Sequence, residues 1–269
     1  MVDYDRWSDI YDVWVRTAPV TERNRPFYVE EYIRTRGPVV ELGIGHGRIA
    51  VEAAGRGKPM IGVDSSASML ARCRQRAEAA GVGHLLTLIQ ADFRDFTLPE
   101  PAELITIPFH SIGHLVTLED KRSGLRRVYQ QLAPGGWLIF DHFVFNAEVA
   151  RRNVGPGLRA EYTDPITGRD VLLWSSATYD FAALSMRVLA WTEELDEEGV
   201  VLQCKYRRLD FSWIEPGQAR ALLEETGFEI EALYGEFDRR PFDQNSGEQV
   251  WIARRPLSSA PGALTGPNA

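Results

Sequence analysis

Cysteine is scarce in this chain. Its 269 residues hold two, Cys73 and Cys204, far apart and in no paired motif. That leaves no disulfide framework and no Cys-based zinc site, and two reduced thiols point to a cytoplasmic setting. Long apolar runs are also missing. No stretch of about eighteen consecutive apolar residues occurs, so no membrane span is expected. The first residues are rich in Asp and Arg rather than apolar, so no secretory leader is read there. Positive charge is in deficit, with 30 Lys and Arg against 38 Asp and Glu and a net charge of −8. Nucleic-acid binders carry a basic face that neutralises phosphates. The arginines here fall in scattered pairs, such as Arg151-Arg152 and Arg239-Arg240, interleaved with acids. A nucleic-acid partner is therefore not expected, and internal repeats are absent. A hydrophobic content of 44% suffices for a full core, and the length suits one domain with an insertion or two small lobes. A monomer or a homodimer fits both.

The informative stretch runs from Val39 to Arg48, VVELGIGHGR. A strand-like apolar run ends in Glu41, and Gly43, Gly45 and Gly47 alternate before a helical segment. Glycine reaches positive φ and lacks the Cβ that would block a ligand. A carboxylate at a strand tip receives a cationic group. Together they suit a cofactor carrying a nucleoside and an amine, of which S-adenosylmethionine is one. The dinucleotide fingerprint G-x-G-x-x-G needs glycine where Arg48 stands. An NAD-dependent oxidoreductase is the rival reading.

The segments that follow repeat the theme. Residues 59–64 read as a second buried strand ending in Asp64, an acid placed to accept ribose hydroxyls. Residues 65–80 read as a helix with Met69 on its inner face. A third strand, 85–91, leads to Asp92-Phe93, an acid for an adenine amino group beside an aromatic ring. Residues 104–108 and 137–143 read as strands four and five. Thr117 and Asp120 have the spacing of a capping box between them. Alternating strands and helices predict a parallel sheet covered on both faces, an α/β class.

Glu41-x-Gly43-x-Gly45-x-Gly47 resembles motif I of class I S-adenosylmethionine-dependent methyltransferases, and LAPGGWL at 132–138 resembles their post-sheet turn. The segment PFHSIGHL at 108–115 is similar to a small-molecule subgroup. The resemblance covers about residues 4–143 and, more loosely, 215–255. It implies a Rossmann-like seven-stranded sheet binding S-adenosylmethionine through Glu41, Gly43, Gly45, Gly47, Asp64, Ser65, Met69, Asp92, Phe93 and Pro108. It also implies methyl transfer to an amine nitrogen or hydroxyl oxygen of a small molecule. A non-catalytic cofactor-binding module is a further alternative. The subgroup implies a leader whose Tyr11 or Trp14 reaches the reacting centre. His110 and His142 are base candidates, with His114 behind them. No metal is expected: His110 and His114 lack the HExxH glutamate, and Pro108-Phe109 stands where metal-dependent relatives carry an acid.

The expected layout is an N-terminal helical lid over 1–36, a cofactor core over 37–143, an antiparallel β insert capping the acceptor over 144–214, and the last core elements over 215–255. Residues 256–269, rich in Ser, Pro, Gly and Ala, read as a disordered tail. In the insert, apolar residues alternate at 200, 202, 204 and 206, then at 209, 211 and 213. This change of parity predicts a bulge or a change of strand partner at Arg207-Arg208.

Overall fold

A computed structural model of the chain describes residues 4–152 and 155–257. Nearly all of the tail expected at 256–269 lies outside them. Helices α1 (Tyr11–Arg16) and α2 (Val20–Arg34) precede β1 (Val39–Leu42). Then come α3 (Ala50–Gly55), β2 (Met60–Asp64), α4 (Ala67–Ala79), β3 (Leu86–Gln90), β4 (Ala102–Ile107), α5 (Leu118–Gln131) and β5 (Leu132–Phe143). The insert holds α6 (Ala147–Arg152), β6 (Gly157–Thr163), β7 (Asp170–Asp180), β8 (Ser185–Leu195) and β9 (Val201–Ser212). Helix α7 (Pro216–Thr226), β10 (Glu229–Tyr234) and β11 (Glu248–Arg254) complete the core.

The main sheet has seven strands in the order β10-β11-β5-β4-β1-β2-β3. Strands β1 to β5 pair in parallel, and β11 runs antiparallel between β5 and β10. β1 is buried along its whole length, as a central parallel strand must be. Successive residues serve opposite faces: Val40 and Leu42 pack with Ile105, Leu125 and Leu223, whereas Val39 packs with Tyr28, Leu104 and Val250. The helix starts are chemically marked. Ser66 Oγ accepts from Met69 N–H at 3.1 Å, and Thr117 Oγ1 accepts from Asp120 N–H at 3.0 Å. Pro216 opens α7, and Gly227 closes it at φ +101°.

The insert is a four-stranded antiparallel sheet, β6-β7-β8-β9. Neither the bulge nor the change of strand partner expected at Arg207-Arg208 is there. Pairing with β8 runs unbroken past those residues, and the register shifts instead at Glu194/Leu195. The parity change has another cause. Odd positions of β9 face inward throughout, but only from Arg207 onward is that face covered. Arg207, Leu209 and Phe211 are buried, while Leu202, Cys204 and Tyr206 sit on the exposed face. What covers the inner face is the leader: Trp7, Ile10 and Val13 pack against Leu173, Ala190, Leu209 and Phe211.

Candidate active site

A cavity of about 420 Å³ opens where the C-terminal ends of β1 to β4 meet the leader and the insert, the position at which parallel α/β sheets receive ligands. On the sheet side its wall includes Gly43, Gly45, Asp64, Ser65, Met69 and Phe93. Gly43 is in the left-handed region at φ +69°, and a Cβ there would stand 3.0 Å from Phe93 Cζ and 3.1 Å from Ser111 Oγ. Side-chain atoms there would fill the space a ligand needs. Asp64 faces the cavity and also braces the loop. Its Oδ2 accepts from Gly45 N–H at 2.8 Å and its Oδ1 from Ser66 N–H at 2.9 Å. Burial pushes this carboxyl up, and those N–H groups oppose the shift. Asp92 lines the cavity too, but Arg94 grips it through Nε and Nη2, each at 2.9 Å, and reaches Asp120 at 2.5 Å.

Three expected cofactor contacts lie elsewhere. Gly47 lines no cavity. Its Cβ would meet Cys73 Sγ at 2.6 Å, so this glycine lets the loop press against α4. Glu41 and Pro108 border a small adjoining recess of about 20 Å³, with Arg48 beside them. Tyr11, Gly43, Phe109 and Ser111 line both spaces. Glu41 takes the Tyr32 hydroxyl at 3.0 Å, and burial raises its pKa to about 8. At neutral pH most of this carboxyl carries its proton until a cation arrives to share the recess.

On the other side the wall is aromatic. Tyr4, Tyr11 and Trp14 come from the leader, and Phe143 and Phe211 from the strands of the core and insert. His114 joins them. Its Nε2 lies 2.8 Å from the Tyr4 hydroxyl, its ring packs edge-on against Phe211 at 4.8 Å, and its Nδ1 is buried without a partner. Burial lowers its pKa to about 3, with the Lys121 charge adding to the shift. The leader is fastened on three sides. Asp5 holds Ser66 Oγ at 2.6 Å and Ser68 N–H at 3.0 Å, Asp12 pairs with His46 and Arg72, and Asp9 pairs with Arg207 of the insert.

The two leading histidines meet different fates. His110 lines the cavity, but its Nε2 is 2.8 Å from Glu248 Oε2. Burial alone would lower its pKa; the Glu248 and Asp141 carboxylates more than offset that and raise it. His142 does not line the cavity. It is wholly buried, its ring nitrogens face the carbonyls of Phe143 and Ser212 at 3.1 Å, and burial drives its pKa well down. Neighbouring strand residues point to opposite faces, so Asp141 turns the other way, toward the turn after β4. Asp141 accepts from the backbone N–H groups of Phe109 and His110, both at 3.0 Å, and from the Tyr28 hydroxyl at 2.6 Å. Phe109 and His110 both sit at left-handed φ, +59° and +60°. A conformation costing of order 1–3 kcal/mol per residue is held there by one buried carboxylate. His110, Asp141 and Glu248 could together offer three ligand atoms to a metal ion, but Asp141's oxygens are already engaged by three donors. Tyr4, Asp141, Glu248 and Phe211 carry little local signal in the sequence, because their places depend on distant partners.

The geometry fits an adenosyl cofactor: bare backbone at Gly43, a carboxylate at the second strand tip, and Met69 and Phe93 for a purine. Residues 39–136 match the methyltransferase-domain family. The chain is 37% identical over 102 residues to the tRNA 5-carboxymethoxyuridine methyltransferase of Escherichia coli, covering 37% of this chain and 38% of that protein. More generally, the chain spans about half the length of the curated relatives it matches. Solved structures match over more of it. The CcbJ methyltransferase of Streptomyces caelestis superposes with a TM-score of 0.76 at 23% identity, over 94% of this chain and 97% of that one. CalS10 of Micromonospora echinaspora, an amino pentose methyltransferase solved with S-adenosylmethionine, gives 0.65 at 19% identity, over 91% and 96%. Residues 39–136 thus match a methyltransferase domain, and the fold around them is shared with solved methyltransferases. Among the described residues, no helix is long and apolar enough to cross a membrane.

Proposed function

We propose that this protein transfers a methyl group from S-adenosylmethionine to an amine nitrogen of a small molecule, without a metal. One observation carries the reading. The glycine loop and Asp64 share a single continuous cavity with the aromatic wall and His114, so donor and acceptor fit side by side. The tRNA relative aligns over 102 residues, and its acceptor is not carried over. The two thiols, one buried and one exposed and both free, suit a cytoplasmic setting.

When bound, the cofactor supplies a methyl group on a sulfonium that is already a good leaving group. The chain's own residues then have to bind, orient and exclude water. Orientation alone supplies about 7–11 kcal/mol in well-aligned reactions. Asp64 takes the ribose hydroxyls, Glu41 and Arg48 frame the amino-acid end, and Phe93 covers the purine. Tyr4 and Tyr11 shield the reacting space. His114, with a pKa of about 3, is a poor proton sink at neutral pH. Its role is to hydrogen-bond with Tyr4 and hold the neutral amine in line. His110, bound to Glu248, steadies the turn rather than accepting a proton.

The test is methyl transfer itself. Full-length protein with radiolabelled S-adenosylmethionine and a panel of small amines and alcohols should produce S-adenosylhomocysteine only when an amine is present. His114→Ala should lower kcat/KM about 10- to 100-fold, the cost of one buried hydrogen bond, with S-adenosylhomocysteine affinity within about twofold of wild type. Cofactor binding without turnover on any acceptor would make the protein a sensor instead.

A further inference from the structure

We infer that the acceptor is an amine on an apolar body, one that brings no phosphate or carboxylate into the cavity. This rests on the methyltransferase reading above and narrows its substrate. The observation is the makeup of the acceptor wall. Away from the glycine loop it is built of Tyr4, Trp14, Phe143, Met186, Val188 and Phe211, together with His114 and His110. No Lys or Arg contributes to that part.

The nearby cations are committed elsewhere. Arg94, at the cofactor end, is shared between Asp92 and Asp120. Arg48 belongs to the recess beside Glu41 and gives its Nη1 to the Thr21 carbonyl at 2.9 Å. Arg159 lies 4.0 Å from the Trp14 ring centre, and its guanidinium bonds Thr17 Oγ1 at 3.0 Å. Arg207 is tied to Asp9, the Arg6 carbonyl and Thr192. Lys121 is buried behind the wall, with its Nζ held by the Leu115 carbonyl and Ser212 Oγ.

An anion entering this wall would leave water and find no free countercharge among the described residues, since His110 is already paired with Glu248 and Asp141. The carboxylates of Glu248 and Asp141 stand close behind it, joined through His110, and the whole chain carries −8. The cost of an unpaired buried charge outweighs any contact the wall returns. An ammonium approaching the same wall meets aromatic faces and a negative local field, both favourable. Its proton passes to bulk water at the open mouth of the cavity before transfer, so the nucleophile beside His114 is the neutral amine. Sites that take phosphorylated or carboxylated acceptors use an Arg, a Lys or a helix N-terminus to receive them, and this wall supplies no such basic side chain.

The experiment uses full-length protein loaded with S-adenosylhomocysteine and titrated by calorimetry with matched amines. Each pair differs by one anionic group: tyramine against tyramine phosphate, and 2-phenylethylamine against phenylalanine. The neutral-bodied member should bind roughly 100-fold tighter in each pair. Met186→Lys, at a half-buried position of the wall, should narrow that gap for the phosphate pair. An anionic member binding as tightly as its twin overturns the inference, and so does a panel in which no neutral-bodied amine binds. Methyl transfer is followed in parallel. Transfer only to anionic members would uphold the methyltransferase reading and sink this one. Tight binding of neutral members without transfer would do the reverse.

Discussion

At the cofactor end of the cavity, the wall is backbone and carboxylate: Gly43, Gly45, Asp64 and the Asp92–Arg94 pair. At the acceptor end it is rings, with one Tyr4–His114 hydrogen bond among them. The first end is made by a contiguous stretch on adjoining strand tips. The second is assembled from a leader, a turn after β4 and an insert that lie far apart in the chain. A ligand common to many enzymes is read by fixed polar geometry, and a particular acceptor by shape and apolar contact. The two ends should therefore fail separately when altered.

The largest separation is expected at Asp64. Asp64→Ala removes the acceptor of the loop N–H groups and the proposed acceptor of two ribose hydroxyls. It should weaken S-adenosylhomocysteine about 100-fold by calorimetry, since hydrogen bonds to charged groups contribute about 1.5–3 kcal/mol each. Amine binding measured at saturating cofactor should hardly move. Unchanged cofactor affinity would break the assignment of this end.

Next comes the titration of Glu41. Its carboxyl, raised to about 8 by burial, must give up a proton before it can face the cofactor's ammonium. Cofactor affinity should therefore rise with pH, about tenfold from pH 6 to 7, and level off above 8. Glu41→Gln should flatten the profile. Without cofactor the sign reverses for stability. The folded state holds this proton more tightly than the unfolded chain does, so Glu41's contribution is greatest below its ordinary 4.5 and is lost as pH climbs through 8. A flat profile in the wild type would remove Glu41 from the site.

The smallest effect sharpens the other end. Phe211→Leu keeps the apolar bulk but removes the edge-on partner of His114. Aromatic pairs contribute about 0.5–1.5 kcal/mol beyond their area. The amine KM should rise about three- to tenfold, while cofactor affinity stays within about twofold. A larger fall in cofactor affinity would mean the two ends are not independent.

The sheet was legible because its signals are local. Apolar strands, each ended by an acid or a glycine turn, were readable at residues 39–64, and the cap at Thr117 fell where expected. The lining by Gly43, Gly45, Asp64, Met69, Asp92 and Phe93 followed from the same pattern. Gly47 looked the same in sequence, yet it packs on Cys73, because a two-residue step around a tight turn redirects where a Cβ would point. In the insert, two alternating apolar patterns suggested a bulge, but the leader that covers half of one face lies some 200 residues away in the chain.

By itself, then, the sequence determined the sheet, the cofactor edge and the acids along it, since period, turn chemistry and strand-tip position act over a few residues. Only the tertiary structure decided which histidine meets the cavity. His142 was turned to the far face by strand alternation. His110 was captured by Glu248 from β11, in a turn that Asp141 holds at left-handed φ. His114 was brought against Tyr4 by the folding back of the leader. The contacts of His110 with Glu248 and of His114 with Tyr4 join residues more than a hundred positions apart, and no local pattern carries that information.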